Sequence, residues 1–389
     1  MTSDGRSDVE TLFPDQGADE AERDGDRSTG ILPSQRLRAM VHERAITATE
    51  EIGEDQIQPA SIDLRLGAVA YRVRASFLPA PGQDVEAKLE RLNMHEIDLT
   101  RGAVLEQGCV YIVPLMEHVR LGYRTSGIAN PKSSTGRLNV FSRVITNGGL
   151  EFDVVRPGYR GPLYAEISPR GFSVIVCKGS RLVQLRLRSG SPRHSVRALR
   201  ELRERDKVVS ITADDSVDGG FAISVDLRTA GPNGIIGWRA RRHTDVVDID
   251  LVGAYDPAAF WEPVSATMDD AIILDPSEFY ILASENTISV PPDYAAEMAA
   301  YDTQMGEFRV HYAGFFDPGF GHDEAGGGAT RAVLEVRSHE VPFLIEHGQI
   351  LGRLLYERLT ARPDKLYGGT IGSSYQRQGL ALSKQFRRL

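Results

Sequence analysis

An internal repeat constrains this chain more than any other feature of its 389 residues. Ser61-Ile62-Asp63-Leu64-Arg65 returns as Ser224-Val225-Asp226-Leu227-Arg228, and Gly158-Tyr159 as Gly319-Phe320. Leu163-Tyr164-Ala165-Glu166-Ile167 returns as Ala332-Val333-Leu334-Glu335-Val336, and Gly179-Ser180-Arg181-Leu182 as Gly348-Gln349-Ile350-Leu351. The order is kept, and apolar residues alternate with polar ones as in strands with one buried face. The copies are unequal. Lys132-Ser133-Ser134-Thr135-Gly136-Arg137 aligns with Tyr301-Asp302-Thr303-Gln304-Met305-Gly306-Glu307, which lacks the serine pair and the arginine. Only the second copy carries a Tyr- and Gln-bearing tail after its last strand. Two copies that complement each other's losses predict one composite site.

The length allows two domains. Frequent Gly and Pro between short Val/Ile/Leu runs predict an all-β-dominated fold, with two tandem distorted β-barrel or jelly-roll units and a few short helices. The expected units span residues 29–190 and 214–389, joined by a charged, partly helical segment at 191–213. Residues 1–28 are rich in Asp, Glu, Gly, Arg and Ser and predict a disordered acidic leader. Cys109 and Cys177 lie in apolar stretches and are expected to be buried free thiols. No signal peptide or membrane-length apolar run is present, so the expected location is cytoplasmic, without a membrane partner. The net charge of −9 argues against a broad nucleic-acid surface, while leaving room for a local basic pocket.

Four segments resemble the 2′-deoxycytidine 5′-triphosphate (dCTP) deaminase family within the wider dUTPase-like fold. Lys132–Arg137 resembles its basic-Ser-Ser-x-x-Arg segment, and Ser61–Gly67 its early strand motif. His311–Phe320 resembles the segment lining its pyrimidine pocket, followed by Glu335 at the position of the family's glutamate. Tyr367 through Tyr375-Gln376-Arg377-Gln378 resembles its closing segment. The two-copy layout resembles the family's double-length branch. There are departures: Ser374 stands where the family commonly has lysine, so Arg377 or Lys365 is the candidate replacement cation. His322–Ala329 is an insertion that predicts a flexible hairpin tip.

The resemblance implies hydrolytic deamination of dCTP to dUTP and ammonia. Glu335 would be the proton shuttle, with its pKa raised by partial burial. Taken alone, Glu335 could equally be a glutamate on a solvated strand face. Ser133 would bond to the attacking water or the departing amine. Arg137 would hold Glu335 or polarise the water, and Gly136 would permit a tight turn. Lys132 and Ser134 would meet phosphate oxygens. The backbone around Ala313 would read cytosine beside the Asp317-Pro318-Gly319 turn, with Phe316 either nearby or plain core. Tyr367, Arg377 and Gln378 would fold over the triphosphate. Magnesium would come with the phosphates, without direct protein ligands. The His-x-Glu and Pro-Cys-x-x-Cys signature of zinc deaminases is absent, so no zinc is expected. Glu166, matching Glu335 in the first copy, is expected to be vestigial, structural or bound to Arg170.

Other readings stay open at this level. One is a dUTP diphosphatase or bifunctional deaminase-diphosphatase, using Asp317 or Asp153 to place water at the α-phosphate. Another is a scaffold that binds a deoxynucleotide without turnover. Single-copy enzymes of the family are trimers with sites between subunits. A homo-oligomer is therefore expected, of undetermined arrangement.

Overall fold

The computed structural model describes residues 28–190, 196–210, 217, 219–228, 231, 234–265, 269–300, 308–310, 314–328, 330–338, 340–368, 375–376 and 378–388, with backbone alone at 300 and 308–310. Residues 1–27 of the leader, Ala313, Arg377, Ser374, Thr303, Gln304 and Glu307 therefore lie outside the described residues.

The chain is mainly β. Its hydrogen bonding groups the described strands into several small sheets, mostly antiparallel, rather than one continuous barrel per unit. In the first half, Val110–Arg120 pairs with Arg160–Pro169, which pairs in turn with Val140–Thr146. A second sheet is built on Val183–Ser189, flanked by Thr125–Pro131, Gly30–Ile31 and Ile62–Leu64. The second half repeats the plan, with Phe279–Ile288 against Thr330–Ser338, and Tyr294–Ala300 against Ile350–Arg358. The helix Val196–Asp206 lies within the expected connecting segment and buries Leu199 and Leu202 in the second-half core. Three residues apart, these two lie on one helical face. No helix among the described residues is long and apolar enough to cross a membrane.

The halves share an interior. Val247–Asp248 pairs in parallel with Val174–Val176 of the first half. Phe172, Val174 and Val176 join Trp238, Phe260, Trp261, Ile281 and Phe386 in one cluster. Phe172 meets Trp261 edge-on at 5.3 Å between centroids, and Trp261 meets Phe386 the same way at 5.9 Å. Each such side chain contributes roughly 1.5–3 kcal/mol by leaving water. The packing fixes the relative placement of the halves and hence of groups drawn from both.

Two expectations are corrected. Cys109 and Cys177 are free but only half-buried, because each lies near a turn at the edge of the interior. The described part of the insertion, residues 322–328, is not a projecting hairpin tip. It forms a 3-10 turn at Asp323–Ala325, ended by Gly326 at φ +69° and folded inward so that Ala325 is buried.

Candidate active site

A cavity of about 410 Å³ lies between the halves. The first half supplies its Lys132–Arg137 wall from the turn that ends the Thr125–Pro131 strand. There the Arg137 N–H returns to the Ser133 carbonyl at 3.1 Å. The second half supplies Phe315, Phe316, Asp317 and the Glu335 strand, and the tail adds Tyr367, Tyr375 and Gln378. Of the candidate residues, Lys132, Ser133, Ser134, Arg137, Asp317, Glu335, Tyr367 and Gln378 thus share one cavity.

Glu335 is 6% exposed, and its Oε2 has no hydrogen-bond partner among the described residues. Burial pushes its carboxyl well above the usual range, partly opposed by the Arg137 charge. It sits against Gly136: a methyl group built there would lie 2.8 Å from Oε1 and closer still to Oε2. Gly136 is thus required by the approach of the carboxylate, not by the tight turn that the sequence suggested. Arg137 does not clasp Glu335. Its Nη1 donates to the Ala381 carbonyl at 3.0 Å, its guanidinium covers the Tyr375 ring at 3.8 Å, and Nε is unpartnered.

The base-side wall is locked across the halves. Asp317 begins a turn closed by the Phe320 N–H to its carbonyl at 3.1 Å, with Gly319 at φ +97°. Glycine suits that conformation, and a Cβ there would also meet the Tyr367 carbonyl at 2.9 Å. The Asp317 carboxylate accepts from Arg186 of the first half at 3.2 Å. Burial raises the Asp317 pKa, while the Arg186 charge opposes the rise. Arg186 also donates to the Ala296 carbonyl at 3.0 Å and covers the Phe315 ring at 3.9 Å. Phe316 lines the cavity and meets Phe320 edge-on at 5.1 Å. Gln378 donates to the Arg331 carbonyl at 3.2 Å, leaving its buried Oε1 unpartnered.

The remaining wall is cationic. Lys132 pairs with Asp63, Arg181 pairs with Asp55 at 2.6 Å, and Lys384 stands nearby. Lys365 is not there: it binds Glu54 at 2.8 Å and does not line the cavity. Sequence reasoning gave no site role to Arg181, Gln184, Arg186 or Lys384, and it quoted Tyr375 only within the closing segment. Gln184, Arg186 and Arg188 form the polar side of an alternating strand, which reads as solvated until the other half covers it. The partner of Glu166 is also corrected. Arg143, directly across the sheet, holds it at 2.5 Å, while Arg170 lies over the Phe141 ring.

Two family models cover nearly all of the chain. The dCTP deaminase N-terminal domain matches residues 28–191, and the C-terminal domain of the same enzyme matches 195–386. The chain belongs to the dCTP deaminase family. The crystal structure of a dCTP deaminase from Agrobacterium tumefaciens is 54% identical with a TM-score of 0.82, the match covering 87% of this chain and 100% of that one. Curated relatives described as dCTP deaminase, dUMP-forming, come from Beutenbergia cavernae (33% identical over 119 residues) and Halobacterium salinarum (30% over 113). Those matches cover 30% and 28% of this family member, and 58% and 53% of the relatives' own lengths.

Proposed function

We propose that the chain hydrolyses dCTP to dUTP and ammonia at the cavity between its halves. The observation that carries this reading is the desolvated Glu335 carboxyl, with a free oxygen, packed on Gly136 of the Ser133–Arg137 turn. A carboxyl kept protonated by burial can donate to cytosine N3. The resulting carboxylate, facing the Arg137 charge, takes a proton from water as its oxygen adds to C4. That proton passes to the exocyclic amine, and ammonia leaves as the C4–N bond breaks. The C4 hydroxyl then returns a proton to Glu335 and becomes the uracil carbonyl. Ser133 orients the water or the departing amine. The backbone at Ala313 would read the base.

Tyr367, Arg377 and Gln378 close over the triphosphate, and Lys132 and Ser134 bind its oxygens. Magnesium would accompany the triphosphate and offset its charge. The donor set suits that arrangement, because Lys132 and Arg181 line the cavity to meet the phosphates, and Asp63 there keeps an unpartnered Oδ1. Whole chains forming a homo-oligomer belong to the same proposal, checked by mass measurement in solution.

Product analysis with dCTP and Mg²⁺ tests the reaction. Ammonia with dUTP supports it, and no ammonia from folded protein refutes it. The names of the curated relatives favour one second reading, onward cleavage to dUMP. Pyrophosphate appearing in step with ammonia would establish that extension.

A further inference from the structure

A second cavity, of about 340 Å³, adjoins the first. Lys132, Ser134, Arg181 and Lys384 line both and form the wall between them. Beyond that wall the second cavity is lined by Asp250 and Gln385 among others, with Asp250 its one carboxylate. The oxygen-rich end of a nucleotide therefore has a passage leading away from Glu335 that is lined by three cations, two of them ion-paired.

Lys384 differs from its neighbours. Lys132 is paired with Asp63 and Arg181 with Asp55. Lys384 has no ion pair or side-chain hydrogen bond among the described residues; only its backbone is engaged, the N–H donating to the Tyr375 hydroxyl oxygen at 3.2 Å. Its flanks are fixed. Ser383 Oγ donates to the Ser134 carbonyl at 2.7 Å, Gln385 Nε2 donates to the Ile249 carbonyl at 2.6 Å, and Phe386 is buried in the shared aromatic cluster. An unpaired ammonium is thus held at the cavity wall by three buried anchors. Half-burial and the Lys132 and Arg181 charges lower its pKa, only partly offset by the Asp250 and Asp63 carboxylates, and a bound anion would relieve that placement.

We propose that Lys384, carried beyond the closing tail, binds the distal phosphates of the substrate, and that these phosphates reach into the second cavity. It would supply the cation that Ser374 does not. The identity of the nucleotide rests on the deaminase reading, whereas the polyphosphate site does not.

The test is calorimetric titration of the full chain with inorganic tripolyphosphate, dCTP and dCMP, comparing the parent with Lys384→Ala and Lys384→Arg. The dCTP and dCMP titrations use a Glu335→Gln background to stop turnover. Lys384→Ala should weaken tripolyphosphate and dCTP by roughly ten- to a hundredfold, the loss of one charge-assisted bond. Affinity for dCMP should stay within about twofold, Lys384→Arg should recover most of the loss, and Tm should hold. Unchanged tripolyphosphate and dCTP binding overturns the proposal, as does equal weakening of dCMP. A fall in Tm without rescue by arginine does so too. Lys384-dependent tripolyphosphate binding without any dCTP binding would keep this site and remove the deaminase reading. Turnover of dCTP with equal KM in parent and Lys384→Ala would do the reverse.

Discussion

Glu166 and Glu335 occupy the same strand of the repeat, and both are buried. Each faces an isoleucine on one side, Ile112 or Ile281. Their chemistry diverges on the other. Glu166 meets Arg143 at 2.5 Å and accepts from Ser76 at 2.6 Å. Arg143 is itself stacked on Phe152 at 3.4 Å. Glu335 has no such clamp among the described residues, where its strand neighbour runs only as far as Val310. One carboxylate is held by an ion pair and a hydroxyl, while the other keeps an unpartnered oxygen among the described residues. Equivalent positions in the repeat thus place two glutamates in different surroundings, one ion-paired across the sheet and one facing the cavity.

The largest test of this contrast is activity. Glu335→Gln should lower ammonia release on the order of 10³-fold, the scale of a lost acid-base group, while Glu166→Gln stays within about twofold. Equal losses would erase the contrast. The reciprocal test is stability. Glu166→Ala leaves Arg143 without its charge partner and should cost about 3 kcal/mol in denaturant unfolding, with KM for dCTP unchanged. A third test moves the unclamped carboxylate without removing it. Gly136→Ala should lower kcat by roughly a hundredfold, because the new methyl group must displace Glu335.

The smallest effect is in pH dependence. Burial raises the Asp153 carboxyl to about 7 beside the Glu166 cluster. Folded protein then retains a proton that unfolded chain releases near pH 4, so stability falls as pH rises through that interval. Asp153→Asn should flatten this fall by on the order of 1 kcal/mol, read from urea midpoints at pH 5 and 8. Glu335→Gln should act in the same direction, since its raised pKa has the same sign.

The β character, the repeat and the residues of the Ser133–Arg137 turn were legible because period-two alternation and short motifs are local signals. Glu335 was ambiguous by pattern alone, and the family resemblance singled it out. Cross-strand and cross-half relations were not legible. Arg170 is near Glu166 in sequence, but Arg143 is its neighbour in the sheet. Lys365 lies just before Tyr367, yet its ammonium turns to Glu54. Arg186 sits on a polar strand face that only the folded partner half makes an interior. Lys384 has no motif around it; what places it is the burial of Ser383, Gln385 and Phe386.

The packing of Glu335 onto Gly136 within a single polypeptide has a genetic consequence. In an enzyme whose site is shared between identical subunits, two defective alleles can restore each other by mixing, since each supplies the piece the other lacks. Here both pieces are inherited together. A cell carrying one copy broken at Ser133 and another broken at Glu335 should gain nothing from having both.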